Sequence, residues 1–114
     1  MLAKKFKITD SRDYSRVQNE GKVFQSESFG LAYLNRGDAD PSRFGFIVST
    51  KIAKEAVDRN RCKRAMSEAV RIESIHLIEG YDVVFLAKTN ILKVSTVDIM
   101  KEVRVSLREV GLMK

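Results

Sequence analysis

The chain has 114 residues and a single cysteine, and its 21 Lys and Arg outnumber 15 Asp and Glu to leave a formal charge of +6. That length suits one self-sufficient domain, residues 1–114, and one cysteine excludes an intramolecular disulfide or a cysteine-only zinc site and favours a reducing compartment. No segment approaches the roughly 18 to 20 unbroken apolar residues of a membrane span, and "MLAKKFKITDSRDY" lacks the apolar run of a signal peptide, so the cytoplasm is the expected location.

In chain order, a first helix is expected after Thr9 or Asp10, either of which can cap it, through "SRDYSRVQNE" to Gly21, a residue suited to a left-handed turn. Tyr14 and Val17 share one of its faces. "KVFQSESFGLAYLN" and "RFGFIVS" are β-rich and alternate, with Phe29, Leu31 and Tyr33 on one side of the first run and Phe44, Phe46 and Val48 on one side of the second. The first run reads as one bent strand or two, and "RGDADPS" between the runs reads as a hairpin-like connection.

A short linker with Lys51 and Lys54 leads into a helix that opens with "AVDRNRCKRAMSEAV" and extends to about Ile75. After Gly80, "YDVVFLAK" is apolar on both faces from Val83 to Leu86, the pattern of a strand inside a sheet. A last helix starts at Ser95 or Thr96, with Asp98 as its first-turn carboxylate, and carries Ile99, Val103, Leu107 and Val110 at helical spacing before Gly111. The order is helix, strands, helix, strand, helix, which describes one α/β layer structure with a helix crossing between two strands of a sheet.

On a helical wheel at about 100° per residue the long helix gathers Cys62, Ala65, Met66, Ala69 and Ile72 into one arc, with Val70 at its margin. Arg59, Asn60, Lys63, Arg64 and Arg71 fall opposite, with Arg61 near the far edge. Intrahelical salt bridges account for little of this stripe, since only Glu55 precedes Arg59 by four residues and only Arg64 is followed by a carboxylate, Glu68, at that distance. Like charges at that spacing repel, and the helix N-terminus disfavours cations. Phosphates are the natural compensation, because guanidinium groups bind them bidentately and their neutralisation releases counterions. A solvated basic face or an acidic membrane surface would also tolerate the charge. An interfacial helix, however, would present Trp, Phe or Leu where this one has small residues.

At "KEAVDRNRCKRAMSEAVR" the sequence closely resembles the bacterial ribonuclease P protein family, whose hallmark here is Ala56, Val57, Arg59, Asn60, Arg61, Lys63, Arg64 and Glu68. "ITDSRDYSRVQNEGK", "RFGFIVSTK" and "GYDVVFLAK" resemble the family's first helix and the strands flanking its long helix, so the likeness covers nearly the full chain. The resemblance implies a two-layer α/β (α+β) sandwich with a mixed sheet in the order α-β-β-β-α-β-α, like the second domain of ribosomal protein S5. It further implies a left-handed βαβ crossover, against the usual right-handed rule.

In function, the resemblance implies the protein subunit of the ribonucleoprotein that removes the 5′ leader of precursor tRNA. Its catalyst is the RNA subunit, assisted by Mg2+ bound mainly by RNA and substrate. The partners implied are that catalytic RNA and precursor tRNA, with no membrane and no DNA. Carried over by position, Arg59, Asn60, Arg61, Lys63 and Arg64 contact the catalytic RNA, and Arg71 extends the same stripe. Tyr14 lines a leader-binding cleft between the first helix and the sheet, with Lys51 and Lys88 at its rim and Tyr33, Phe44 or Phe46 completing it. Ordinary core packing is the competing account of those strand aromatics.

Two positions depart from the family pattern. Gln18 stands where many members carry a second aromatic, and Ser67 where a further Arg often follows the Lys-Arg pair. His76 and Cys62 form no catalytic constellation, and Asp10, Asp13, Asp38 and Asp40 suit capping and solubility, so no protein catalytic residue is expected. The alternative function is a structural or ribosomal RNA-binding protein of the same fold.

Overall fold

A strand apolar on both faces needs neighbours on both edges and cover above and below. In the computed structural model, which describes residues 2–114, Tyr81–Ala87 (β4) has all of these. It lies between Phe29–Asn35 (β2), antiparallel to it, and Arg43–Ile47 (β3), parallel to it, while Lys22–Gln25 (β1) extends the sheet beyond β2 in the order β1-β2-β4-β3. "KVFQ" and "FGLAYLN" are thus two strands. "RGDADPS" makes no hairpin, because β4 occupies the slot between β2 and β3; its apolar pattern on both faces demands the interior place that a β2–β3 hairpin would deny it.

Among the described residues three α-helices cover the sheet: Ser11–Glu20 (α1), Ala56–Glu73 (α2) and Thr96–Glu109 (α3). Phe29, Leu31, Phe44, Val83 and Phe85 face α2 and α3, where they bury Met66, Val70, Ile99, Val103 and Leu107 in the main core. Phe85 anchors this layer through an edge contact with Phe29 (centroids 5.3 Å apart) and a stacked one with Phe46 (5.4 Å), geometries that add to simple area burial. Alternate residues Ala32 and Val84 face the other way and meet Val17 of α1 and Ile8. The sheet and the α2–α3 layer form the anticipated sandwich, and α1 partly covers the opposite face.

The helix ends follow local chemistry. The Asp10 side chain accepts from the Arg12 amide at the start of α1, and Ser95 Oγ accepts from the Asp98 amide (3.1 Å) at the start of α3, each satisfying an otherwise orphaned donor. Gly21 does not turn left-handed; its φ is −78°. Glycine is needed there because a Cβ would stand 2.5 Å from the Val17 carbonyl oxygen and 2.7 Å from that of Tyr33. On α2, Val70 is fully buried while Ile72 is 52% exposed. The buried face therefore turns toward Val70, and regular α-helix ends at Glu73, followed by a 3-10 turn over Ser74–His76.

Candidate nucleic-acid interface

The cationic stripe on α2 divides once the helix is placed in the fold. Arg59 bends back to the preceding linker, its Nη1 donating to the carbonyls of Ala53 (3.0 Å) and Lys54 (2.8 Å). Because Glu55 makes no side-chain capping bond, Arg59 fastens the start of the helix to the linker. Arg61 leans toward α3 and donates from Nη1 to the Val94 carbonyl (3.3 Å). Arg71 pairs with Glu68, its Nε donating to Oε1 at 3.0 Å, and this bond holds the Glu68 carboxyl below the usual carboxylate range. Glu68 is thus engaged one turn later than the Arg64 spacing suggests. Asn60, Lys63 and Arg64 are exposed, and their side chains make no hydrogen bond or ion pair among the described residues.

These three side chains border the edge of the sheet. β3 is a terminal strand, and the segment before α1 covers only part of its free edge, with the Ile8 amide donating to the Phe44 carbonyl (2.9 Å). Beyond that cover lies a cavity of about 410 Å³ lined by Tyr14, Gly45, Phe46, Asn60, Lys63 and Arg64 among others. Tyr14 reaches it from α1 by lying across Gly45, where any Cβ would overlap its ring. Burial pushes the Tyr14 phenol above its ordinary range, opposed by a hydrogen bond with the Phe46 backbone. The phenol therefore stays neutral at physiological pH and offers a ring face and a hydroxyl.

Part of each group of residues assigned separately from sequence meets here: Asn60, Lys63 and Arg64 of the RNA-contacting set, but not Arg59, Arg61 or Arg71, and Tyr14 of the cleft set. Phe44 and Phe46 border the same cavity, although Phe44 is 3% exposed and serves chiefly as core. Tyr33 packs against the main core on the sheet face away from Tyr14 and does not line the cavity. Nor do Lys51, exposed in the turn after β3, or Lys88, whose Nζ donates to the Ser26 carbonyl (2.7 Å) and fastens the β1–β2 turn.

Lys7, Ile8 and Gly45 also line the cavity, and sequence reasoning did not single them out. The available signal was Gly45 between two aromatics, since glycine inside a strand marks a close approach by another group. Asp82 escaped notice as well. It is fully buried beneath α1 and binds Arg36 and Arg43, holding the β2–β3 connection in place.

Burial raises the Cys62 thiol above its ordinary range, which makes it a poor nucleophile. Among the described residues no three His, Cys, Asp or Glu side chains converge on one point, and no helix is long and apolar enough to cross a membrane.

A family model described as Ribonuclease P matches residues 2–111. The chain belongs to the ribonuclease P protein family. It is 36% identical over 112 residues to the ribonuclease P protein component of Syntrophomonas wolfei, covering 98% of this chain and 92% of that one. It is also 36% identical over 91 residues to that of Caldanaerobacter subterraneus, covering 80% and 77%. A solved RNase P protein from Staphylococcus aureus superposes with a TM-score of 0.89 over 97% of this chain and all of that one, at 24% identity, a likeness of fold. One from Thermotoga maritima is 26% identical with a TM-score of 0.77, over 85% and 92%. As a member of this family, the chain is a protein component of ribonuclease P, the endoribonuclease that processes tRNA 5′ ends, and its partner is RNA.

Proposed function

We propose that the α2 face docks on the catalytic RNA of ribonuclease P while the cavity at the β3 edge receives the single-stranded 5′ leader of precursor tRNA. The carrying observation is that Lys63, Arg64 and Asn60, whose side chains make no hydrogen bond or ion pair among the described residues, share one cavity with the Tyr14 ring. Lys63 and Arg64 supply charge for phosphates, each neutralised phosphate adding about 0.7 to 0.9 to the salt dependence of binding. Asn60 offers both a donor and an acceptor. Tyr14 gives a stacking surface indifferent to base identity, contributing on the order of 1 to 3 kcal/mol per stacked base.

Arg59 and Arg61 shape this face through their bonds to backbone carbonyls and still present charge to solvent. Arg71, paired with Glu68, contributes least. Tyr33 and Lys88 act through the core and the β1–β2 turn, and Lys51 adds an exposed positive charge in the turn after β3.

The protein's own contribution is electrostatic and steric: it lowers the repulsion between two polyanions and holds the leader beside the RNA subunit. The family implies Mg2+, and among the described residues no three His, Cys, Asp or Glu side chains converge to hold it. In keeping with the family, we assign the ion to RNA and substrate, with the chemistry of phosphodiester hydrolysis belonging to the RNA subunit in the cytoplasm.

The test is multiple-turnover cleavage of a 5′-labelled precursor tRNA by a bacterial ribonuclease P RNA at low magnesium, with and without this protein. Strong stimulation when both are present is expected. Tight RNA binding without stimulation would overturn the reading in favour of a structural RNA-binding role.

A further inference from the structure

The outer surface of the α2–α3 layer carries apolar side chains that the core does not use. Val57 is 78% exposed, Val97 61% and Ile72 52%. Scattered singly, such residues need no account. Here they border two adjoining hollows between α2 and α3 that share Met100, one of about 560 Å³ that includes Val57, Ala65 and Thr96, the other of about 260 Å³ that includes Ile72 and Val97.

Cations stand on both rims: Arg61 and Arg64 from α2, Lys101 and Arg104 from α3. The carboxylates along the groove are Glu68, which is engaged with Arg71, and Glu73. An apolar floor between basic walls matches a nucleotide strand, whose base faces are apolar and whose backbone is anionic. The Met100 thioether adds a favourable contact to an aromatic ring.

A second copy of this chain would bring like-charged rims together across a two-fold axis, and a flat bilayer does not fill a concave groove. Arg64 and Ser67 border both this groove and the cavity at the β3 edge, so a strand lying on α2 has a continuous path over the helix.

We infer that the α2–α3 groove is a second RNA-binding surface, which takes an unstacked nucleotide of the RNA subunit with its base against Met100 and Val97 and its flanking phosphates on Lys101 and Arg104. This rests on the α2 face docking on that RNA, as proposed above.

The test measures affinity for a bacterial ribonuclease P RNA across a salt series for the parent, Lys63→Ala and the double variant Lys101→Ala/Arg104→Ala, with circular dichroism confirming that each is folded. Lys101 and Arg104 are exposed, so the fold should be unaffected. The double variant is expected to bind more weakly, with a slope shallower by about 1.4, two single-strand phosphates at about 0.7 each. A photocrosslinking side chain at position 97 is expected to attach to RNA.

A flattened slope in Lys63→Ala with none in the double variant overturns the groove and leaves the α2 docking intact. Unchanged slopes in both variants overturn the two together. Crosslinking to a second copy of the chain, or to nothing, also refutes the groove.

Discussion

Replacing Asp82 by Asn keeps the shape of the side chain and removes its charge. The carboxylate is fully buried: Oδ1 accepts from Arg36 Nη1 (2.6 Å) and Arg43 Nε (3.0 Å), and Oδ2 accepts from Arg43 Nη2 (2.8 Å). An amide in its place aims an N–H at a guanidinium N–H or gives up one acceptor. Removing one partner of a buried pair costs about 3 to 5 kcal/mol.

The lower end applies because the arginines keep other partners. Arg36 retains Asp38 (3.0 and 3.1 Å) and the carbonyls of Asp40 (3.1 Å) and Pro41 (3.0 Å), and Arg43 retains Asp13 at 3.4 Å. Unfolding entropy of roughly 2.1 cal/mol/K per residue amounts to about 0.24 kcal/mol/K for 114 residues, so a loss of about 3 kcal/mol lowers Tm by about 12 °C. Thermal unfolding at neutral pH, paired with urea titration, measures this directly. A loss under about 1 kcal/mol with an unchanged urea m-value would refute the claim that Asp82 holds the β2–β3 connection.

Gly45→Ala forces the Tyr14 ring away from β3, so precursor tRNA should bind several-fold more weakly while mature tRNA is unaffected; equal losses for both would place Tyr14 in a purely structural role. Ser67→Arg adds a cation between the edge cavity and the α2–α3 groove and should tighten binding to the RNA subunit, steepening its salt slope by about 0.7 to 0.9. The Asp10 carboxyl is held below its ordinary range by hydrogen bonds from the Arg12 side chain and amide. Its folded pKa being the lower one, the ionised group stabilises the fold above the unfolded value and loses that effect as pH falls through the folded one. Urea titrations of the parent and Asp10→Ala should therefore differ at neutral pH and converge on acidification; a gap that persists undiminished would contradict the assignment.

Local pattern was enough for most of the elements, though not for the division of the first β run into β1 and β2. The alternation of β2 and β3, the doubly apolar β4, the Asp10 and Ser95 caps and the α3 stripe of Ile99, Val103 and Leu107 each encode a periodicity or an end signal within a few residues. The Arg-Asn-Arg and Lys-Arg run likewise gave the family, because a motif is a property of adjacent positions. Sequence also fixed which side chains were cationic, though not where each would point. Arg59 and Arg61 were claimed by the Ala53, Lys54 and Val94 carbonyls and Arg71 by Glu68, while Lys63 and Arg64 kept their charge for solvent.

The remaining features depended on which distant groups meet. Placing β4 between β2 and β3 undid the hairpin and left β3 with a free edge. Packing α1 on one face and α2 on the other brought Tyr14 and Lys63 to that edge from opposite sides of the sheet and left Tyr33 on the core side. Steric fit, rather than turn propensity, required glycine at positions 21 and 45. A residue's chemistry is local, but its neighbours, and therefore the shape and free charge of a binding surface, are set only when sheet and helices close around a common core.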